Sequence, residues 1–94
     1  MNASAKLQPR QAKRIDLSGS FIRRTDLSRA SLVGANLSEA DCTNAIFRGA
    51  DFKDAVLEGT ILNGADLSGA VNLTREQIQH ATIDERTLLP ENLR

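Results

Sequence analysis

Between residues 15 and 69 the chain places a large apolar residue at every fifth position. These centres are Leu17, Ile22, Leu27, Leu32, Leu37, Cys42, Phe47, Phe52, Leu57, Leu62 and Leu67. Two residues before each centre stand Ile15, Ser20, Thr25, then Ala30, Ala35, Ala40, Ala45, Ala50 and Ala55, then Thr60 and Ala65. A further unit, residues 70–74, breaks the rule with Asn72 at its centre. On a helix a five-residue step turns about 500°, a net rotation of about 140°, so the centres would spiral and no single face could bury them. On one straight strand an odd step throws alternate centres to opposite sides. A corner in every unit removes both difficulties. The small residue and the centre then point inward from a short extended segment, and the following residues turn the chain.

The corner residues agree with this reading. All six glycines, Gly19, Gly34, Gly49, Gly59, Gly64 and Gly69, lie two positions after a centre. Glycine takes positive φ without steric cost, as tight turns often demand. Asn44 and Asp54 occupy the same phase, and Asn and Asp tolerate such corners best after glycine. Neither Pro9 nor Pro90 interrupts the repeat, where a proline would remove a ladder donor. If four units close one square turn, residues twenty apart stack at strand spacing, roughly 4.8 Å. The pattern therefore predicts an all-β solenoid, a parallel β-helix in which each coil contacts only its neighbours.

The units TDLSR, ANLSE, ADFKD and ADLSG resemble the pentapeptide-repeat family, whose consensus is A(D/N)LXX. The resemblance covers residues 15–69 well and 70–74 weakly. It implies a right-handed quadrilateral parallel β-helix with four pentapeptides per coil. Eleven or twelve units amount to about three coils, close to the minimum for a stacked repeat. The departures fall just before the centre, where the family favours Asp or Asn: Phe21, Ile46, Val56, Ile61 and Val71 stand there.

Both ends leave the rhythm. Thr74 and Gln77 form a capping-box signature, which predicts a helix from Arg75 to about Ala81. Similar tails follow the repeats in other family members, which implies a short C-terminal α-helical cap or a dimerisation surface. The tail is expected to fold partly over Val56, Ile61 and Val71. At the other end only Leu7 is an apolar candidate before Ile15. Three regions follow: a basic segment at 1–14, expected to be disordered or helical on a partner; a repeat domain at 15–73; and a helix with its cap at 74–94.

The 94 residues balance twelve basic against twelve acidic side chains, but unevenly. Residues 1–30 hold seven bases and two acids, or +5, and residues 31–94 hold five bases and ten acids, or −5. A basic first coil and acidic later coils make head-to-tail association of copies conceivable. The single cysteine rules out an internal disulfide and a cysteine metal cluster. The start shows no apolar core of secretory length, and no run approaches the roughly 18 apolar residues of a membrane span. A soluble protein of the cytoplasm is expected.

No residue pattern points to catalysis, a cofactor or a metal. His80 is the only histidine and lies on the tail. Cys42 occupies a centre, so it reads as a buried apolar group and not a nucleophile. The aspartates Asp16, Asp26, Asp41, Asp51 and Asp66 are spread around the walls, where local hydrogen bonding to corner backbone is the expected role. No Gly-Lys-Ser/Thr element follows the glycines, so they do not make a phosphate loop.

The expected function is therefore a non-enzymatic protein-binding or scaffold module, with another protein as partner. A homodimer through a solenoid end or the C-terminal segment is a further option. Candidate surface residues are Phe21, Arg23, Arg24, Arg29, Ile46, Val56 and Ile61, outward departures from the repeat and the arginines beside the first of them. The family supplies an alternative: some relatives resemble a DNA duplex in charge and size, bind DNA gyrase and protect it. That mechanism needs an acidic rod of duplex length, whereas three coils span roughly 14 Å and the first is basic. Weak nucleic-acid binding by the basic N-terminal end is a third reading, with few aromatics to stack bases.

Overall fold

The computed structural model describes residues 14–94. The expected basic segment at 1–14 lies outside the described residues except for Arg14. Ten parallel bridges organise the described chain, and the eight within the repeat all join residues twenty apart. They form four columns: Asp16–Asn36–Val56 (face A), Phe21–Asp41–Ile61 (face B), Asp26–Ile46–Asp66 (face C) and Ser31–Asp51–Val71 (face D). Each set of four units is thus a tier stacked on the previous one. The residue that registers the tiers is the one just before each centre, whose side chain faces outward.

Three backbone hydrogen bonds per unit hold neighbouring tiers together, except at the Asp51–Val71 step, which has two. On face A, Asn36 N–H donates to Ile15 O at 2.8 Å, and Leu17 N–H donates to Asn36 O at 2.8 Å. At the next corner Gly19 N–H donates to Ser38 O at 2.8 Å. Within each unit the carbonyl of the centre accepts from the N–H three residues on, as from Ser20 to Leu17 at 3.1 Å. The third residue of that turn has positive φ in all eleven units, from Arg24 at 57° to Gly49 at 70°. A β-turn with positive φ at its third residue is of type II. Five units place non-glycine residues there: Arg24, Arg29, Glu39, Asn44 and Asp54. Phase in the repeat, not residue type, therefore sets the corner.

Inside, alanines and large centres alternate around one core. Ala35, Ala40, Ala45, Ala50 and Ala65 are wholly buried together with Leu37, Cys42, Phe47, Phe52 and Leu67. Thr60 takes an alanine position without stranding its hydroxyl, which donates to Leu37 O at 2.6 Å. Asn72 fails as a centre: it is exposed, has φ of 59°, and its amide donates to Asp51 Oδ1 at 2.9 Å.

The tail differs from the expected helix to about Ala81. Helix α1 spans Arg75–Gln79, opened by the capping box of Thr74 and Gln77. It ends as His80 N–H turns to Gln77 O at 3.2 Å. The chain then becomes extended, and Thr82 pairs with Ile61 and Leu88 with Asp66. Faces B and C so gain a fourth residue, in registers lengthened to 21 and 22. Thr87 Oγ1 donates to Leu62 O at 2.9 Å, and Asp84 Oδ1 accepts from Gly64 N–H at 3.0 Å. Leu73, Ile78 and Leu93 are buried in the same cluster as the repeat centres, with Ala81 and Leu89 packed against it. The expectation that the tail covers all three late apolar departures needs correction. It pairs with Ile61, but Val56 and Val71 remain 45% and 47% exposed. Among the described residues faces A and D receive no fourth residue, so nothing in the tail lies in register beneath those valines.

Candidate partner-binding surface

The columns show where each candidate residue stands. Phe21 heads face B, above Asp41 and Ile61. Arg23 and Arg24 follow it at the corner leading to face C, where Ile46 stands between Asp26 and Asp66. Arg29 lies one corner further, and Val56 lies on face A. The seven candidates are therefore not one patch. Phe21, Arg23, Arg24, Ile46 and Ile61 border a single corner, while Arg29 and Val56 belong elsewhere. Ile46 and Ile61 are also only half-exposed, because a bridged residue above and below shields each side chain.

Phe21 dominates what remains, with 85% of its surface exposed. Beside it Arg23 Nε lies 3.7 Å from Asp41 Oδ2, one tier along. Asp41 is held ionised by the corner it serves. Its Oδ1 accepts from the Thr43 hydroxyl at 2.6 Å and the Thr43 N–H at 3.1 Å. Those bonds, with a contribution from Arg23, hold the carboxyl below its ordinary value. Arg24 makes no ion pair among the described residues and is exposed, its backbone fixed by the corner bond to Thr43 O at 3.0 Å. The corner thus presents a bare aromatic ring, one free guanidinium and one paired with a carboxylate.

The same Asx geometry recurs around the walls. Asp16, Asp26 and Asn36 each accept from the serine two residues on, through both its N–H and its hydroxyl, at 2.6–3.0 Å. These side-chain oxygens fix turns and are not gathered for acid–base chemistry. Burial, with the nearby charge of Asp41, pushes the Cys42 thiol up to about 12. It is therefore a thiol at neutral pH and no nucleophile.

One feature of this surface escaped the sequence pattern. Leu88 ends face C half-exposed below Asp66, whose carboxylate accepts from the Arg48 guanidinium at 3.0 Å. The tail carries no period, so nothing in the letters assigns Leu88 to a face.

Comparisons with known proteins bear on the scaffold. The family model described as pentapeptide repeats matches residues 13–49 and 35–71, with eight copies. The chain is similar to a solved pentapeptide repeat protein, Rfr23, from the cyanobacterium Cyanothece 51142, at 27% identity and a TM-score of 0.65. That match covers 79% of this chain but only 53% of the other, so the chain spans about half that protein's length. A pentapeptide repeat protein from Nostoc Pcc 7120 is 27% identical over 96% of this chain and 86% of its own, with a TM-score of 0.36. One from the Arabidopsis thaliana thylakoid lumen is 24% identical over 78% of this chain and 57% of its own, with a TM-score of 0.31. The comparison with curated proteins gives no match.

Proposed function

The chain belongs to the pentapeptide-repeat family, and from that premise we propose that it is a protein-binding module without a catalytic step of its own. Its scaffold in this reading is a right-handed quadrilateral β-helix, capped at the C-terminal end by α1 and the segment after it. The single observation that carries the reading is Phe21. A phenylalanine left 85% exposed forgoes about 2 kcal/mol of burial, which a partner pocket can recover. Aromatic residues and arginines are the side chains that anchor protein interfaces, and Phe21 stands beside Arg23 and Arg24. The complementary partner surface is an apolar pocket with carboxylates at its rim. Buried, unpaired Cys42 suits the reducing cytoplasm as the compartment.

The gyrase alternative draws no support from this surface. A duplex mimic needs an acidic face, and the first tier presents Arg14, Arg23, Arg24 and Arg29. The test is capture from the native host with tagged protein, comparing the unaltered chain with Phe21→Ser and Arg24→Glu. A discrete protein retained by the unaltered chain and lost from both variants supports the reading. Equal retention by all three contradicts it.

A further inference from the structure

Ten of the eleven centres donate their backbone N–H to a carbonyl in the next tier or in the tail; Leu57 does not. The cause is the ending of face A. Thr82 takes the N–H of Leu62 at 2.7 Å and returns its own to Thr60 O at 2.8 Å. Leu88 does the same between Leu67 and Ala65, at 2.7 and 2.9 Å. Below Val56 no described residue occupies that place. The acceptor half of the vacant step, Ala55 O, is held by the Gln77 side-chain amide at 2.9 Å. The donor half, Leu57 N–H, finds no acceptor among the described residues, although Leu57 is only 3% exposed. Buried backbone donors are almost always paired.

A groove of about 180 Å³ opens at this step, with Ala55, Val56 and Leu57 on one side and Glu76, Gln77 and His80 on the other. Its surroundings are acidic. Glu58 lies 3.2 Å from His80, Glu76 lines the groove, and the Glu39 carboxylate lies over Gly59. No lysine or arginine stands among the groove's lining residues, so its carboxylates favour a cationic occupant.

We propose that this groove binds an extended, basic peptide segment of a partner protein, which adds a residue to face A as Thr82 and Leu88 do to faces B and C. The peptide carbonyl accepts from Leu57 N–H, while Ala55 O stays with the Gln77 amide, which also holds Phe52 O and closes the capping box. A lysine or arginine next to that residue meets Glu58 and Glu76. Main-chain bonds give such strand addition its affinity, and flanking side chains give it selectivity. The proposal shares the protein-binding premise but occupies a different face from Phe21, so each can fail alone.

The test titrates acetyl-Lys-Val-Thr-Val-Lys-amide into isotopically labelled full-length protein and follows backbone amides by NMR. Without peptide, Leu57 N–H exchanges faster than Leu37, Leu62 and Leu67 N–H. With peptide, Leu57 shifts and becomes protected. Glu58→Gln and Glu76→Gln each weaken binding about threefold to fivefold, and Phe21→Ser leaves it unchanged. A Leu57 amide that stays unmoved through the titration overturns the proposal, as does one already protected in dilute protein without peptide. Protection that instead rises with protein concentration alone overturns it in favour of a second copy of this chain.

Discussion

The rings of Phe47 and Phe52 meet edge to face, with centroids 5.3 Å apart and planes at 62°. They are successive centres of the second tier, both wholly buried. The corner between them brings residues five apart into contact, which neither a straight strand nor one face of a helix does. Because both rings are wholly enclosed by packed neighbours, the site cannot collapse freely when a ring is removed. Phe52→Ala is expected to cost about 3–5 kcal/mol. Phe52→Leu, which restores the commonest centre, should cost clearly less. Urea denaturation followed by circular dichroism measures both.

Corner strain gives a prediction of opposite sign. Glu39 has φ of 61° only because its phase in the repeat demands it. Positive φ costs an ordinary side chain about 1–2 kcal/mol, so Glu39→Gly should stabilise the fold by about 1 kcal/mol. The stacked corner below has glycine, Gly59 at 69°, and a Cβ there would run into the Glu39 carboxylate. That carboxylate is the mobile end of a side chain and can move away. Gly59→Ala should therefore cost about 1–2 kcal/mol for the backbone alone. Thermal melts of both variants check the pair.

The turn aspartates make stability depend on acid. Hydrogen bonds from Ser18, Ser28 and Thr43, hydroxyl first and N–H second, lower the carboxyls of Asp16, Asp26 and Asp41 below their ordinary 3.8. The Asn72 amide and the Lys53 N–H do the same for Asp51. A carboxyl depressed in the folded state stabilises above its unfolded value and loses that contribution as pH falls through the folded value. Melting temperature should hold from neutrality to about pH 4 and fall below it. Asn36 shows that an amide serves the same turn, accepting from Ser38 N–H at 3.0 Å. Replacing all four aspartates by asparagine should flatten the acid limb.

Much of this was legible in the letters, for a physical reason. Eleven repeats of one small constraint leave little freedom: Leu37, Phe47 and Leu67 must be inside, and Gly19 and Gly64 must turn. The half-burial of Ile46 and Ile61 was also implicit, since a register of twenty names the residues that stack on each. The tail was not legible. Thr82 and Leu88 enter the ladder at registers of 21 and 22, after a helix and a turn whose lengths follow no period. The capping box at Thr74 was legible because that signal is local. The unpaired step under Val56 and the place of Leu88 were not, because both depend on where a non-repeating chain returns.

Removing residues 75–94 should expose what the tail satisfies. Gly59, Leu62 and Leu67 N–H lose His80, Thr82 and Leu88 carbonyls, and Phe52 O and Ala55 O lose Gln77. Leu57 and Leu62 then lie at an open edge of the kind that recruits other chains. The truncated protein is expected to melt lower and to associate in light scattering. An unchanged melting temperature would show that the tail carries no stabilising load.

In the proposed reading the outward departures at the first corner, headed by Phe21, meet a protein partner. Site-specific photocrosslinking in the native host decides this, with benzoylphenylalanine in place of Phe21 and, separately, of Ser31. Both positions head a column of the first tier, but on different faces. A discrete adduct is expected from position 21 and none from position 31. No adduct at 21, or the same adducts from both, would contradict it.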